Sequence, residues 1–297
     1  MLRKILLIGG AAILLLVSSL AVYVYLVSER ALRATYPAPT VALDIPRDPE
    51  SIPRGAHLVR AVGTCTLCHG EDLGGGVYAD EGAIGRIVGP NLTRGRGGIG
   101  ADFGISDWVR AIRYGVRRDG TSLLVMPSEV YTFFSDADLA AMVAYLEQVP
   151  PVDRDLPRSH FGWLGRVLFA FGRLNLLVAP KTHHPGGASL VPAAPTADYG
   201  RYLANVSGCH GCHGFGLSGG RVAGPPNLPL ASNLTRAGLG GWTQADFVHA
   251  MREGRRPDGT VLDAFMPWRN FQAMSDLELA ALWMYLRSVP ARETGNK

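Results

Sequence analysis

A chain of 297 residues that is 47% hydrophobic and 18% charged holds enough apolar mass for about two domains, and its charge content is too ordinary for a disordered chain. The formal charge of +4 includes Arg3 and Lys4; without these two, 27 basic side chains face 25 acidic ones. So small an excess lacks the concentrated basic face that nucleic acid requires, and no nucleic-acid partner is expected.

The first predicted element is an uncharged apolar run over residues 5–27, long enough to cross a hydrocarbon core of about 30 Å as a helix. Arg3 and Lys4 before it favour a cytoplasmic N-terminus and put the rest of the chain on the far side. A cleaved signal peptide is the alternative, but the run is long for one and ends Tyr23-Val24-Tyr25-Leu26-Val27 without a small-x-small site. Short helices are predicted over residues 54–62 and 199–206, and helical periodicity marks 106–114 and 243–253, with Thr243 as an N-cap. Ser135-Asp136-Ala137-Asp138 and Ser275-Asp276-Leu277-Glu278 open two further helices, which end before Val149-Pro150 and Val289-Pro290. Glycine-rich segments at 74–76, 95–100, 214–220 and 238–241 read as loops without the strand-to-helix setting of a phosphate cradle. Residues 161–179 are apolar, but Arg166 and Arg173 lie seven residues apart on one helical face. Burying both in a second span would cost about 2.5–3.5 kcal/mol each. An amphipathic helix between the flanking domains is therefore expected, with docking on a membrane surface or a partner as the other readings.

All four cysteines fall in two pentads, Cys65-Thr66-Leu67-Cys68-His69 and Cys209-His210-Gly211-Cys212-His213. C-x-x-C-H attaches haem c: two thiols three residues apart reach the two vinyl groups of one porphyrin, and the next residue offers an imidazole to the iron. A thioredoxin-like pair, one shared all-thiolate zinc site and structural disulfides are the rival readings, and each leaves both histidines unexplained.

The pentads sit in a long internal repeat. Gly89-Pro90-Asn91-Leu92-Thr93 is echoed by Ser232-Asn233-Leu234-Thr235, and Asp119-Gly120-Thr121 by Asp258-Gly259-Thr260. From Met126-Pro127 to Tyr145-Leu146 the second copy follows without a gap 140 residues later. Met126 and Met266 lie 57 and 53 residues beyond His69 and His213, each directly before proline. A thioether there suits the sixth position of a low-spin iron, whereas a core role is the ordinary fate of methionine. Met142, Met251, Met274 and Met284 have no methionine counterpart and read as packing. His57, His160, His183, His184, His210 and His249 read as hydrogen-bonded or surface histidines. Arg110, Arg113, Arg117 and Arg118, echoed by Arg252, Arg255 and Arg256, read as a solvated face, or as groups that dock an acidic carrier or pair with haem propionates.

On these motifs each copy resembles a class I cytochrome c domain. The string from Gly238-Leu239-Gly240-Gly241-Trp242 onward, and more loosely from Gly98-Ile99-Gly100, is similar to the membrane-bound cytochrome subunits of periplasmic alcohol, gluconate and nicotinate dehydrogenases. The resemblance covers about residues 50–152 and 194–291. It implies that the carbonyl of Pro90 orients His69; in the second copy Ser232 aligns with Pro90, Pro225-Pro226 lie nearby, and the equivalent stays open. Such subunits often carry three haems, whereas this chain has two pentads and an N-terminal anchor.

The expected architecture is mainly α: a transmembrane anchor over residues 1–30, haem c domain I over 50–152, an amphipathic connector and Pro/Gly/Ala spacer over 153–195, and haem c domain II over 196–292. Two covalent haems c are expected, held by Cys65, Cys68, Cys209, Cys212 and Pro90, with His69, Met126, His213 and Met266 on the irons. The expected function is single-electron transfer on the periplasmic side of the inner membrane, without substrate chemistry. Redox partners would be a dehydrogenase, a quinol-oxidising complex, a soluble cytochrome or an oxidase. A permanent subunit of an oxidase or quinol-oxidising complex is the alternative, and a diheme peroxidase the less favoured one.

Overall fold

The computed structural model describes residues 1–182, 189–222 and 228–295. The apolar run forms part of one helix, α1 (Leu2–Arg33), whose residues 1–23 are all exposed. An extended strap follows, and the Tyr36 amide donates to the Gly120 carbonyl at 2.9 Å. The Asp48 carboxylate accepts from the Ser51 amide at 2.8 Å and starts α2 (Ser51–His57), which continues through a π-helical turn (Leu58–Val62) to α3 (Thr66–His69). A bulged antiparallel hairpin, β1 (Gly76–Asp80) and β2 (Gly85–Gly89), precedes α4 (Ile105–Tyr114), α5 (Ser128–Tyr131) and α6 (Asp136–Leu146). β3 (His160–Phe161) adds to β2, and α7 (Trp163–Ala170) and a 3-10 turn (Ala179–Lys181) complete the connector.

The second half repeats the order with α8 (Ala197–Val206), α9 (Cys209–His213), a short β4 (Gly220–Arg221) and β5 (Leu230–Ala231), α10 (Arg236–Leu239), α11 (Gln244–Glu253), α12 (Trp268–Phe271) and α13 (Asp276–Ser288). The predicted caps form: Ser135, Thr243 and Ser275 each accept a hydrogen bond from the amide three residues on. Backbone strain repeats as well. Leu73 and Leu217, both fully buried, hold φ of 56° and 55° at the same place in each half.

Three expectations need correction. The glycine-rich segments at 74–76 and 214–220 run into strands, because glycine lets two backbones approach closely. Residues 161–179 do not form one helix: α7 spans eight residues and lies on α1 and the sheet, not between the two halves. Gly165 permits this, since a Cβ there would strike the Ile84 carbonyl, and Arg166 reaches Glu29 at 3.0 Å. Met142, Met251 and Met274 are buried as expected, but Met284 is exposed.

Each half is organised by a crossing of its first and last helices. In the first, Gly55 of α2 lies on the Ala141 carbonyl of α6; in the second, Gly200 of α8 lies on the Ala281 carbonyl of α13. A methyl group at either glycine would overlap the carbonyl. Leu58, Val62, Leu139 and Val143, with their counterparts Leu203, Val206, Leu279 and Trp283, fill the core around the crossings.

The halves meet reciprocally. His57 Nε2 lies 2.8 and 3.0 Å from the Glu278 carboxylate oxygens, and the Tyr202 hydroxyl at the equivalent place donates to the Asp138 carboxylate. Arg54 Nε also donates to Asp138 at 2.7 Å. Residue i of one half meets residue j of the other and the converse holds, the mark of an isologous contact. α12 joins in, with Asn270 Nδ2 donating to Thr66 Oγ1 at 2.8 Å, while Val130 of α5 packs near Gly208.

Gly200→Ala should destabilise the protein by about 1–3 kcal/mol through overpacking, whereas Gly241→Ala, with open space around the added carbon, should not; thermal unfolding measures both. Burial pushes the Glu278 pKa up, but hydrogen bonds from His57 and Ser275 outweigh it and hold the carboxyl below its ordinary 4.5. Its stabilisation is therefore present above that value and lost as pH falls through the lower folded-state value. Glu278→Gln should flatten this acid limb of the unfolding curve.

Candidate functional site

Each pentad begins where the chain leaves a helix in an unusual conformation. Thr64, with φ 50°, precedes Cys65, and Gly208, with φ 73°, precedes Cys209. The short helices α3 and α9 then put both thiols and the histidine of each pentad on one turn. No disulfide joins the cysteines. Among the described residues no group of three or more His, Cys, Asp or Glu side chains gathers to hold a metal, so the pairs do not form one shared thiolate site. Burial pushes the Cys65 and Cys209 thiols up to about 12 and Cys68 up to about 11, which keeps them protonated and unlike a reactive dithiol.

His69 and His213 are buried and oriented in the same way. His69 Nδ1 lies 2.8 Å from the Pro90 carbonyl oxygen, and His213 Nδ1 lies 2.7 Å from that of Ser232. With Nδ1–H donating to the carbonyl, Nε2 keeps its lone pair for a metal. Burial pushes the His69 pKa down, which favours the neutral ring that a metal needs. Ser232 thus does in the second half what Pro90 does in the first, through a backbone atom that does not depend on the side chain; Pro225-Pro226 lie outside the described residues.

The carbonyls are held by a knot built from the repeated Asn-Leu-Thr. Asn91 Oδ1 accepts from the Thr93 amide at 2.9 Å and hydroxyl at 2.8 Å, while its Nδ2 donates to Val152 beyond the last helix. Asn233 does the same with Thr235 and with the Arg292 carbonyl, at 2.9, 2.7 and 2.8 Å. The sequence showed the echo but not its purpose, although an asparagine two residues before threonine is a turn signal.

In the second half a cleft of about 440 Å³ is lined by His213 and Met266 together with Leu239, Trp242, Phe247 and Leu262. Its size and apolar walls suit a flat hydrophobic cofactor; His213 is its one imidazole, and Met266 and Met251 both bring a thioether to its lining. The residues present therefore fit haem c. In the first half Trp108 stands where Phe247 lines that cleft, and its buried Nε1 has no partner among the described residues, as a group would that donates to a bound cofactor. Met126 and Met266 are both half-buried and packed against the core.

The arginine groups are less uniform than a solvated face. Arg113 is buried and donates to Asp136 at 2.6 Å and to the Phe134 carbonyl at 2.8 Å. Arg252 holds Asp276 in the same way at 2.7 Å. Arg117 and Arg256 each donate to the carbonyl just after the following Asp-Gly-Thr turn, those of Ser122 and Val261, and Arg256 lines the cleft. Of the other histidines, His57 forms the contact between the halves, His210 lies 2.8 Å from Asn205 Oδ1, and His183 and His184 lie outside the described residues.

Asn233→Ala leaves the buried Thr235 amide and hydroxyl without their acceptor and should cost about 1–3 kcal/mol in chemical denaturation. Ser232→Ala keeps the carbonyl that meets His213 and should leave stability unchanged.

Comparison with known proteins bears on the family. Residues 50–146 match the family described as cytochrome c oxidase, cbb3-type, subunit III. The fructose dehydrogenase cytochrome subunit of Gluconobacter japonicus is 28% identical over 82% of this chain and 53% of its own length. The gluconate 2-dehydrogenase cytochrome c subunit of Pantoea cypripedii is 30% identical over 82% of this chain and 60% of its own. The chain thus spans little more than half the length of these dehydrogenase subunits. A diheme cytochrome c-type protein of Cereibacter sphaeroides is 30% identical over 71% of this chain and 74% of its own length. With its pentads, its carbonyl-bound histidines and a relative matched over most of its length, the chain belongs to the cytochrome c family.

Proposed function

We propose that the protein is a membrane-tethered electron-transfer subunit with two haem c domains, residues 50–152 and 196–292, each holding one covalent haem. It relays single electrons between a dehydrogenase or quinol-oxidising complex and another cytochrome or a terminal oxidase. The observation that carries this reading is the recurrence of one constellation in both halves: a C-x-x-C-H turn, its histidine Nδ1 on a backbone carbonyl, and a methionine before proline at the matching place.

Haem c, when bound, supplies reversible one-electron chemistry at its iron. Cys65 and Cys68, and Cys209 and Cys212, are the attachment thiols. His69 and His213 offer Nε2, and the carbonyls of Pro90 and Ser232 fix which ring nitrogen carries the proton. Met126 and Met266 would offer the iron a soft thioether, which favours the reduced state.

α1 is the anchor. It crosses the inner membrane with Arg3 and Lys4 on the cytoplasmic side and leaves both haem domains in the periplasm. The dehydrogenase cytochrome subunits among the relatives support a dehydrogenase as electron donor. The match to an oxidase subunit favours a second reading, a permanent subunit of an oxidase complex. Purification in mild detergent separates the two, since a permanent subunit brings its complex with it.

Mass measurement of the purified protein should show two haems per chain, and Cys65→Ala with Cys68→Ala should leave one. Met126→Ala and Met266→Ala should each turn one of the two low-spin signals high-spin in optical and magnetic spectra. An unchanged spectrum would overturn that ligand.

A further inference from the structure

We infer that α7 and the turn after it form a second membrane contact: Trp163, Val167 and Phe171 rest in the headgroup and acyl boundary of the bilayer that α1 crosses. The inference deepens the reading of α1 as an anchor and rests on it.

Depth is set by α1. At 1.5 Å per residue, about 20 residues from Ile5 cross the hydrocarbon core and bring the chain to Val24. The helix continues to Arg33, so its last turns stand in the interfacial layer, with Tyr23 and Tyr25 at the boundary where aromatic rings collect. α7 is fastened to this stretch. Arg166 donates to Ser28 Oγ at 2.8 Å and Glu29 at 3.0 Å, and its guanidinium lies 5.5 Å from the Tyr25 ring centroid. The Phe171 ring lies 6.4 Å from that of Tyr23. α7 is thus held at the level of residues 23–29.

The protein-facing side of α7 is accounted for. Gly165 abuts the Ile84 carbonyl, and Phe169 packs edge-on against Phe161 of β3 at 5.9 Å. Trp163, Val167 and Phe171 recur every four residues on the opposite side. Trp163 is 70% exposed and Phe171 56% exposed, large rings for a surface that meets only water. Arg173, exposed two residues beyond Phe171, suits a lipid phosphate. A short helix with an apolar stripe, a tryptophan and an arginine just beyond it is built to lie in the interface plane. Two contacts with the bilayer, one along its normal and one in its plane, would stop the haem domains from swivelling about the anchor.

The test places the photo-crosslinker p-benzoylphenylalanine, one position at a time, at 163, 171, 15 and 261 in the full chain, reconstituted in nanodiscs of phosphatidylglycerol and phosphatidylcholine. Position 15 reports the anchor, and 261, an exposed apolar position in the second half, reports non-specific contact. On illumination, chains labelled at 15, 163 and 171 are expected to gain the mass of a phospholipid, and the chain labelled at 261 is not. Adducts at 15 but at neither 163 nor 171 would overturn the inference and leave the anchor standing. No adduct at 15 would overturn the anchor and the inference with it. Equal adducts at 261 and 163 would also overturn it, since α7 would then have no preference for lipid.

Discussion

Both halves depend on a helix crossing so close that no side chain fits at its centre. Gly55 and Gly200 lay one helix directly on a carbonyl of another, and the apolar residues on either side then interlock into a core shared by both halves. The crossing also fixes where the chain leaves the first helix. Thr64 and Gly208 turn out of it in a left-handed conformation, and the pentads begin at the next residue. The histidine of each pentad is thereby aimed at a carbonyl that the Asn-Leu-Thr knot ties back to the end of the last helix. Crossing, pentad and carbonyl form one connected structure, so a substitution at a glycine far from the cleft acts on the site through packing alone.

The same helices carry the contact between the halves. Asp138 and Glu278, in the first turns of α6 and α13, are buried and face groups from the opposite half. Buried carboxylates are costly without partners, and each is met by a hydroxyl, imidazole or guanidinium. The arrangement favours one relative placement of the halves, since any other would leave these carboxylates without their partners. That placement seats α5 and α12, which follow the proposed methionine ligands, against the pentad region of the other half. The two pentad regions thus each border an element of the opposite half.

Much of this was legible before the fold. The pentads, the matched methionines and the capping boxes are local patterns whose chemistry does not depend on distant residues. The role of Ser232 was half legible: alignment placed it opposite Pro90, but the residue type hid an equivalence carried by the backbone. The connector reads as one helix because apolar content continues from residue 161 to 179, while the break at Phe171 and the seating on α1 depend on Gly165, Phe161 and β2. Arg113 read as one of a solvated cluster and proved to be buried, because its partner Asp136 lies 23 residues away at the start of another helix.

The pentads, the repeat, the residue types proposed for each iron and the apolar N-terminal run are legible in the chain alone, since each is written within a few neighbouring residues or in the period between them. Only the tertiary structure decided which carbonyl orients each histidine, which glycines bear the crossings, how the halves meet through His57, Glu278, Tyr202 and Asp138, and where α7 rests. Those depend on contacts between residues up to 221 positions apart, set by packing geometry that no local pattern contains.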